Sequence, residues 1–222
     1  MKLEIIGADS AFNGLNTSFF FRDDANRGVL VDCGFTVFPE LIRRDMAKDV
    51  DVVLISHMHA DHTGSLCTLG VWMRTRQGRK IIVGGGMDIG ELFRVQGVLP
   101  DDFIALPADD ALNVKTIKTG HIPAYGYNNA LFIADRILYS GDTNESVLDT
   151  EYARTAQIII HETALSTPAV HTALELLNQA APDIKAKTWL THIPTSERPE
   201  IERLAAEMGF AGVCQNGQMI QV

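Results

Sequence analysis

Hydrophobic residues along the chain fall into short runs, each closed by a turn or a polar cluster. In the first third, KLEIIG, NTSFFFR and GVLVDCG are apolar or β-branched, and the DDANRG cluster predicts a hairpin between the last two. FPELIRRDMA then places Phe38, Leu41, Ile42 and Met46 at helical spacing. The chain therefore opens with strands and continues into a helix.

The remaining two thirds alternate between strand-like and helix-like segments. Strands are predicted for DVVLIS, KIIVGG, NVKTIKT, QIIIHE, KTWLTHI, GVCQ and QMIQV, and a hairpin is predicted for ALFIAD with RILYSGD. Helices are predicted for LCTLGVWMRTR, MDIGELFRV, AVHTALELLNQAA and PEIERLAAEMG, and a loop for residues 95–110. The order of elements recurs loosely in the second half, which predicts sheets covered by helices in a layered α/β sandwich.

Composition places the chain among globular proteins. Of its 222 residues, 46% are hydrophobic and 21% are charged, and without a long linker we expect a single domain over 1–222. The net charge of −9 argues against binding long nucleic acid. The chain has three cysteines, an N-terminus without a signal-peptide core and no apolar run of membrane-spanning length. These features predict a cytoplasmic protein with no membrane partner.

The highest density of side chains that can bind a metal lies in HMHADH, directly after the apolar run DVVLIS. Along an extended segment, residues two apart point to the same side, so His57 and His59 can bind one ion. As the chain turns into a helix, Asp61 and His62 point elsewhere and can bind a second ion. Four such side chains are hard to bury without a metal, because buried polar groups need partners. The alternative is a solvated, histidine-rich loop.

Further polar side chains follow other predicted strands. His121 follows NVKTIKTG, Asp142 follows RILYSG, His161 follows a run of isoleucines, and His192 follows KTWLT. Functional residues are often presented at such strand exits. Imidazole and carboxylate are the usual ligands of zinc and related metals, so the pattern predicts a metal centre.

In this order the motifs resemble the metallo-β-lactamase superfamily, over nearly the full length of the chain. The motifs are VDCG with Asp32, HMHADH, the lone His121, SGDT with Asp142 and LTHI with His192. The resemblance implies a four-layer αββα sandwich with a dinuclear metal site between the sheets. It also implies an enzyme, a metal-dependent hydrolase.

The resemblance assigns the ligands position by position. The first ion would be held by His57, His59 and His121, the second by Asp61, His62 and His192, with Asp142 and a water or hydroxide bridging the two. Zinc is the first choice of metal, and manganese and iron are the alternatives. Asp32 resembles a residue that supports the site from behind the ligands, and it also suits a turn before Gly34.

The C-terminal third resembles the ribonuclease Z and cyclic phosphodiesterase branch. IIIHETA is similar to its HEAT motif, and VHTALELL is similar to its HST motif, with His171 21 residues before His192. In that branch this histidine donates a proton to the leaving oxygen. His121 lies 21 residues before Asp142, which leaves no room for the tRNA-binding arm of ribonuclease Z. The phosphonate-pathway cyclic phosphodiesterases lack that arm and match better.

These features predict a phosphodiesterase for small cyclic or linear, nucleotide-like substrates. Two ions lower the pKa of a shared water, and the resulting hydroxide would attack phosphorus. Asp61 would orient this nucleophile, and His171 would protonate the departing alkoxide. Glu162 is a candidate for orienting a catalytic histidine or for capping a turn.

Two further residues are weaker candidates for the site. His161 is a candidate for a supporting or substrate-binding role, since it follows a strand within the HEAT-like motif. Tyr127, with Tyr125, follows His121 and is a candidate for substrate contact or an ordinary loop aromatic.

Other functions on the same fold stay open at this point. A ribonuclease Z-like RNA endonuclease is one, and a lactonase or thioesterase, which needs no general acid of this kind, is another. A binding module without activity is a third, disfavoured by the complete ligand set. Dimers are common in this branch, so the resemblance also implies a homodimer.

Overall fold

A computed structural model of the protein describes residues 1–85, 89–99, 103–122, 128–165 and 169–222. In chain order, the strands are β1 (Lys2–Gly7), β2 (Ser18–Arg22), β3 (Gly28–Val31), β4 (Val52–Leu54), β5 (Ile81–Gly84), β6 (Phe103–Leu106), β7 (Val114–Lys118), β8 (Asn129–Ile133), β9 (Ile137–Tyr139), β10 (Ile158–Glu162), β11 (Thr188–Thr191), β12 (Gly212–Val213) and β13 (Met219–Gln221). The helices are α1 (Val37–Arg43), α2 (Ala60–Thr63), α3 (Leu66–Arg76), α4 (Ile89–Val95), α5 (Ala108–Ala111), α6 (Glu151–Thr155), α7 (Leu174–Leu177), α8 (Pro182–Lys185) and α9 (Arg198–Met208), with a 3-10 turn at Ala47–Asp49.

The strands form two mixed sheets of similar topology. Within the described residues, the first sheet has the order β13-β1-β2-β3-β4-β5-β6 and the second has the order β12-β11-β10-β9-β8-β7. In the first, β13 to β3 pair antiparallel and β3 to β6 pair parallel. In the second, β7 to β9 pair antiparallel and β9 to β12 pair parallel. The loose recurrence in the sequence therefore corresponds to two sheets built alike.

Period-two alternation sends side chains of each strand to two different cores. In β2, Phe19 and Phe21 join the cluster between the sheets, whereas Phe20 packs into the outer cluster under the helices. In β3, Leu30 likewise faces outward to the helices. Strands that are buried on both faces read as continuous apolar runs, as FFF and GVLV do here.

Helices cover the outer face of each sheet. On the first sheet, Leu41 of α1, Leu69 of α3 and Phe93 of α4 belong to one outer cluster. On the second sheet, Leu177 of α7 and Ile201 of α9 belong to the other. The layers therefore run helix, sheet, sheet, helix, which confirms the predicted αββα sandwich.

Two predictions for local structure were wrong. The irregular stretch 95–110 contains β6 and the start of α5, since Phe103 and Leu106 extend the first sheet by pairing with β5. AVHTALELLNQAA is not one helix: α7 covers only Leu174–Leu177, and Pro182 begins α8. The first turn of the expected helix is absent, and two carbonyl oxygens that it would use accept other hydrogen bonds: that of Val170 from His121 Nδ1 and that of Thr172 from the Ala164 N–H.

The fold brings the polar strand exits together at one edge. Asp32 follows β3, Ser56 lies just beyond β4, Asp142 follows β9 and His192 follows β11. The isolated bridge between His57 and Asn128 ties the two sheets together at this edge. Among the described residues, the longest helices, α3 and α9, have 11 residues each and fall short of a membrane-spanning length.

Candidate metal centre and active site

Three imidazoles and one carboxylate form a first ligand group. His57 Nε2 lies 3.1 Å from His59 Nδ1, which in turn lies 3.3 Å from His121 Nε2. Asp142 Oδ2 lies 3.8 Å from the Nε2 atoms of both His57 and His121. One ligand atom from each residue lies within 4.8 Å of the others. The structure thus brings together the residues assigned to the first ion.

A second ligand group shares Asp142. His62 Nε2 lies 3.3 Å from both Asp61 Oδ2 and Asp142 Oδ1. His192 Nε2 lies 3.3 Å from Asp142 Oδ2 and 3.8 Å from Asp61 Oδ2. These four residues also have ligand atoms within 4.8 Å of one another. Asp142 is therefore placed as the bridge between the two groups.

The electrostatics favour the ligand forms of most of these side chains. Burial lowers the pKa of His57 well below its ordinary value and that of His192 to about 4, so both imidazoles stay neutral. Burial opposes ionisation of Asp142 and Asp61, but neighbouring histidines outweigh it, holding the Asp142 pKa well below its ordinary range and the Asp61 pKa at about 2. His62 differs: despite burial, the charges of Asp142 and Asp32 raise its pKa, so an ion bound there displaces a proton.

Unpaired polar atoms at the centre fit a pair of divalent cations. Among the described residues, the buried His62 Nε2 and Asp142 Oδ1 atoms make no hydrogen bond. Ring nitrogens of His57, His59 and His121 face one another at 3.1 to 3.3 Å, where neutral lone pairs repel without a proton or cation between them. Imidazole and carboxylate form a donor set for zinc and related ions. The residues present therefore support the use of divalent metal.

A glycine allows the turn after β3 to pack closely against the HMHADH segment. A Cβ at Gly34 would lie 1.9 Å from the backbone oxygen of Asp61, so no side chain fits there. The adjacent Cys33 N–H donates to the His62 backbone oxygen at 2.7 Å. The turn after β3 thereby supports α2, which carries Asp61 and His62.

Asp32 orients the second ligand group from behind. Its Oδ2 atom accepts hydrogen bonds from His62 Nδ1, Ser56 Oγ and Tyr139 Oη, each at 2.8 Å. Its Oδ1 atom accepts the Ser56 N–H, also at 2.8 Å. Protonation of His62 at Nδ1 leaves Nε2 for a metal. Asp32 adopts φ 57°, a left-handed conformation that is uncommon outside glycine, so it makes a turn and supports the site at once.

Other hydrogen bonds hold the first ligand group. His121 Nδ1 donates to the backbone oxygen of Val170 at 2.6 Å, which leaves its Nε2 atom facing the other ligands. Asn128 Nδ2 donates to Thr119 Oγ1 at 2.8 Å and to the backbone oxygen of Asp142. Asn128 thus joins the strand exit before His121 to the loop that carries Asp142.

His171 lies in a turn ahead of α7, held by a buried carboxylate. Its Nδ1 atom lies 3.0 Å from Glu162 Oε2, and Glu162 Oε1 accepts the N–H groups of Thr143 and Thr172 at 3.0 Å each. Burial raises the Glu162 pKa to about 7, although the hydrogen bond with His171 opposes this. At His171 burial lowers the pKa, but the same hydrogen bond and the charges of the nearby carboxylates together outweigh burial and raise it. The buried carboxylate therefore favours the protonated form of the His171 ring.

The ring of His171 is close to both ligand groups. Its centroid lies 5.4 Å from the His121 ring of the first group and 5.3 Å from the His192 ring of the second. The His171 side chain is 21% exposed, so a small molecule can reach it from solvent. A proton held there is well placed for transfer to a group bound between the two ligand groups.

The structure describes one of the two weaker candidates for the site, His161. His161 is fully buried, its Nδ1 atom donates to the Glu162 backbone oxygen at 2.7 Å, and its Nε2 atom accepts the Val147 N–H at 3.3 Å. Both ring nitrogens are thus committed to the backbone, and this position does not support substrate contact. Tyr127, like Tyr125, lies outside the described residues.

Sequence reasoning missed Ser56, Tyr139 and Asn128. Ser56 directly precedes HMHADH, and its hydroxyl also lies 3.1 Å from His57 Nδ1. Tyr139 lies in ILYSGD, where period-two alternation with Ile137 turns it toward the core between the sheets. Ser56 could have been found from its position directly beside the motif. The contacts of Tyr139 and Asn128 depend on how the two sheets face each other, which the sequence does not show.

Comparisons with known proteins identify the family of this chain. The family model described as anti-Pycsar protein Apyc1 matches residues 1–84 and 78–220. A relative of that name in Paenibacillus harenae is 28% identical over 218 residues, covering 86% of this chain and 89% of the relative.

Solved structures share the fold. The metallo-β-lactamase fold protein YhfI from Bacillus subtilis has a TM-score of 0.76 at 21% identity, covering 99% of this chain and 98% of that one. A diphosphatase from the PhnP family has a TM-score of 0.76 at 17% identity, covering 100% and 97%. The chain therefore belongs to the anti-Pycsar protein Apyc1 family and is a metal-dependent hydrolase with the metallo-β-lactamase fold.

Proposed function

We propose that the protein hydrolyses small cyclic or linear, nucleotide-like phosphodiesters and uses two divalent ions, zinc by preference. One observation carries this proposal: His171 lies within reach of both ligand groups and is tied to the buried Glu162 at 3.0 Å. A proton donor at this place suits a reaction that expels a poor leaving group such as an alkoxide. Hydrolysis of a lactone or thioester has less need of one.

The proposed roles follow from the contacts of each side chain. His57, His59 and His121 would hold one ion, Asp61, His62 and His192 the other, and Asp142 both. When bound, such ions lower the pKa of a water and neutralise charge that develops on the phosphate. Asp61 orients the attacking water, and His171 gives its proton to the leaving oxygen. Glu162 holds the His171 ring in position.

The proposed substrates are small because the chain offers little to hold a long one. Between His121 and Asp142 lie the connection to β8 and the β8–β9 hairpin, where ribonuclease Z has its arm. The net charge of −9 disfavours a long phosphate backbone. The likeness to a PhnP-family diphosphatase is consistent with a small phosphate substrate.

We also propose that residues 1–222 act as one domain in the cytoplasm. Each sheet contributes part of both ligand groups, so neither half holds a complete site. Cys33, Cys67 and Cys214 are unpaired and buried, which fits a reducing compartment.

The activity is tested with bis-p-nitrophenyl phosphate after reconstitution with Zn²⁺ or Mn²⁺. We expect release of p-nitrophenolate that a chelator abolishes and added metal restores. An absence of turnover in every metal-loaded preparation contradicts the proposal. Faster hydrolysis of a lactone or thioester would favour that alternative, and cleavage of precursor tRNA at low enzyme concentration would favour the ribonuclease.

A further inference from the structure

A hydrogen bond at the ring nitrogen that faces away from the site orients several of the proposed histidine ligands. His62 Nδ1 donates to Asp32 at 2.8 Å, and His121 Nδ1 donates to the backbone oxygen of Val170 at 2.6 Å. Partners of this kind normally fix the orientation of a metal-binding imidazole. His192 differs, because its buried Nδ1 atom makes no hydrogen bond within the described residues. The orientation of the His192 ring must therefore be set by its backbone and by packing.

The backbone of His192 has an unusual conformation. Its φ is 57°, in the left-handed region that residues with a Cβ atom rarely occupy. Such a conformation persists only where the surrounding contacts enforce it. The centroid of the His192 ring lies 5.2 Å from the ring of His62 and 5.3 Å from that of His171. A return of φ to the common range would move the ring out of this packing and away from Asp61 and Asp142.

Hydrogen bonds on the next residue, Ile193, hold this backbone in place. The Ile193 N–H donates to the backbone oxygen of Ala8 at 3.3 Å, and the Ile193 backbone oxygen accepts the N–H of Ser10 at 3.3 Å. Ala8 directly follows β1 of the first sheet, whereas Ile193 lies just beyond β11 of the second. The chain immediately after His192 is therefore fixed by a short bridge from the other sheet.

A largely buried ion pair holds the bridging residues 8–10. Arg198 Nη2 donates to Asp9 Oδ1 at 2.8 Å and to the backbone oxygen of Ala8 at 3.2 Å. Arg198 Nη1 donates to the backbone oxygen of Cys214 at 3.0 Å. The other carboxylate oxygen of Asp9 accepts Asn216 Nδ2 at 3.0 Å. The side chains of Arg198 and Asp9 are only 16% and 8% exposed, so water competes little for these bonds.

We propose that Asp9 and Arg198 position the second ligand group, because they hold residues 8–10 against Ile193 and so keep His192 in its left-handed conformation. Both act through His192 and are positioning residues, not ligands. The inference rests on the proposed function, since that function assigns the second ion to the group that contains His192. The affinity for the second ion then depends on this ion pair, whereas the affinity for the first ion does not.

Titration of Zn²⁺ against a chromophoric chelator measures the two binding steps, and His192→Ala identifies the step that belongs to the second ligand group. Arg198→Met keeps an unbranched apolar side chain and removes the hydrogen bonds to Asp9, Ala8 and Cys214. We expect this variant to weaken the second-group step roughly tenfold or more, and to leave the other step within about twofold of the parent.

Asp9→Asn tests the same ion pair with a nearly isosteric side chain. Arg198 and Asn216 donate to different oxygens of Asp9, so the amide N–H₂ of the variant faces a donor in either orientation. The second-group step should weaken here as well, and the first step should not. This variant decides the question if Arg198→Met does not fold.

Arg44→Met is the matched control. The Arg44 side chain is 15% exposed and donates to the carboxylates of Glu40 and Glu4. It also donates to the backbone oxygen of Ile6 in β1, much as Arg198 does to Ala8 beyond the same strand. Loss of Arg44 therefore disturbs the same strand. Both zinc-binding steps should stay within about twofold of the parent, even where the free energy of unfolding falls.

Three results would overturn the positioning role. They are parental zinc affinity in Arg198→Met and Asp9→Asn, equal weakening of both binding steps in these variants, and the same selective weakening in Arg44→Met. If the parent binds fewer than two zinc ions, the two-ion centre of the proposed function fails, and NMR of the metal-free protein with isotope-labelled histidine decides. A shift or broadening of the His192 ring signals in Arg198→Met or Asp9→Asn, without one in Arg44→Met, upholds the positioning role; unchanged signals refute it.

Discussion

The hydroxyl of Tyr139 donates a 2.8 Å hydrogen bond to Oδ2 of Asp32, across the space between the two sheets. Tyr139 lies in β9 of the second sheet, and Asp32 follows β3 of the first. The same oxygen accepts His62 Nδ1, so the orientation of a proposed metal ligand in one sheet depends on a side chain from the other. Both partners are fully or almost fully buried, which keeps water from replacing the bond.

Tyr139→Phe should therefore weaken zinc binding as well as the fold. Loss of one buried hydrogen bond lowers the free energy of unfolding by about 1 kcal/mol. Loss of a group that orients a ligand from behind lowers metal affinity by roughly tenfold or more. Chelator competition measures the affinity, and chemical denaturation measures the stability.

Tyr152→Phe is the matched control for this variant. Tyr152 is half-buried and packs against Phe132 in the outer cluster, with ring centroids 5.1 Å apart, away from Asp32. Its zinc affinity should equal that of the parent. Parental zinc affinity in Tyr139→Phe would show that the cross-sheet bond does not orient His62.

Removal of metal should lower the melting temperature markedly. An ion that binds only the folded state stabilises it by about 2.7 kcal/mol at a free concentration one hundred times its dissociation constant. Melting curves in chelator and in added Zn²⁺ measure the difference. Asp142→Ala, which removes the shared carboxylate, should lose most of the shift, and an undiminished shift in that variant would place the ions elsewhere.

His171→Ala should keep its zinc and lose turnover in a way that depends on the leaving group. General acid catalysis contributes about 10²- to 10⁴-fold where the leaving oxygen needs a proton. A dialkyl phosphodiester should lose about that much, whereas a p-nitrophenyl ester, whose leaving group is a stable anion, should lose far less. Metal analysis and the two rates test this together. Equal losses on both esters would contradict the role of proton donor.

The sequence alone predicts that the proposed ligands come together, because they are close along the chain or follow the ends of strands. His57, His59, Asp61 and His62 lie within six residues, and Asp142 ends a predicted strand. Parallel neighbours in a sheet bring such exits to a common edge, so the layered fold suffices to expect their convergence.

Contacts across the sheets lie beyond such reasoning. The bond from Tyr139 to Asp32 spans 107 residues and depends on how two twisted sheets pack. The turn before α7 was also mispredicted, because the carbonyl oxygens of Val170 and Thr172 accept hydrogen bonds from His121 and Ala164 and not from a following helical turn. The spacing of hydrophobic residues along one segment does not show which distant residue that segment will bond to.

Glu40 provides a pH-dependent contribution to stability away from the site. Its side chain is only 7% exposed, and its carboxylate accepts hydrogen bonds from Arg43 at 2.6 and 2.7 Å and from Arg44. Hydrogen bonds from Arg43, with help from Arg44 and against burial, lower the Glu40 pKa from 4.5 to about 2. A carboxyl group with a lowered folded-state pKa stabilises the fold above its unfolded pKa, and this stability is lost as pH falls from about 4.5 to about 2.

Glu40→Gln should therefore be less stable than the parent at pH 7, and the difference should vanish by about pH 2. The full shift corresponds to about 3 kcal/mol, and we expect about 1–2 kcal/mol because Arg43 is 70% exposed and its charge is screened by solvent. Denaturation at a series of pH values measures it. Glu200→Gln, whose partner Arg203 lies on the exposed face of α9, is the control and should follow the parent. A stability loss in Glu40→Gln that stays constant from pH 7 to pH 2 would mean that packing, not the carboxylate charge, makes Glu40 stabilising.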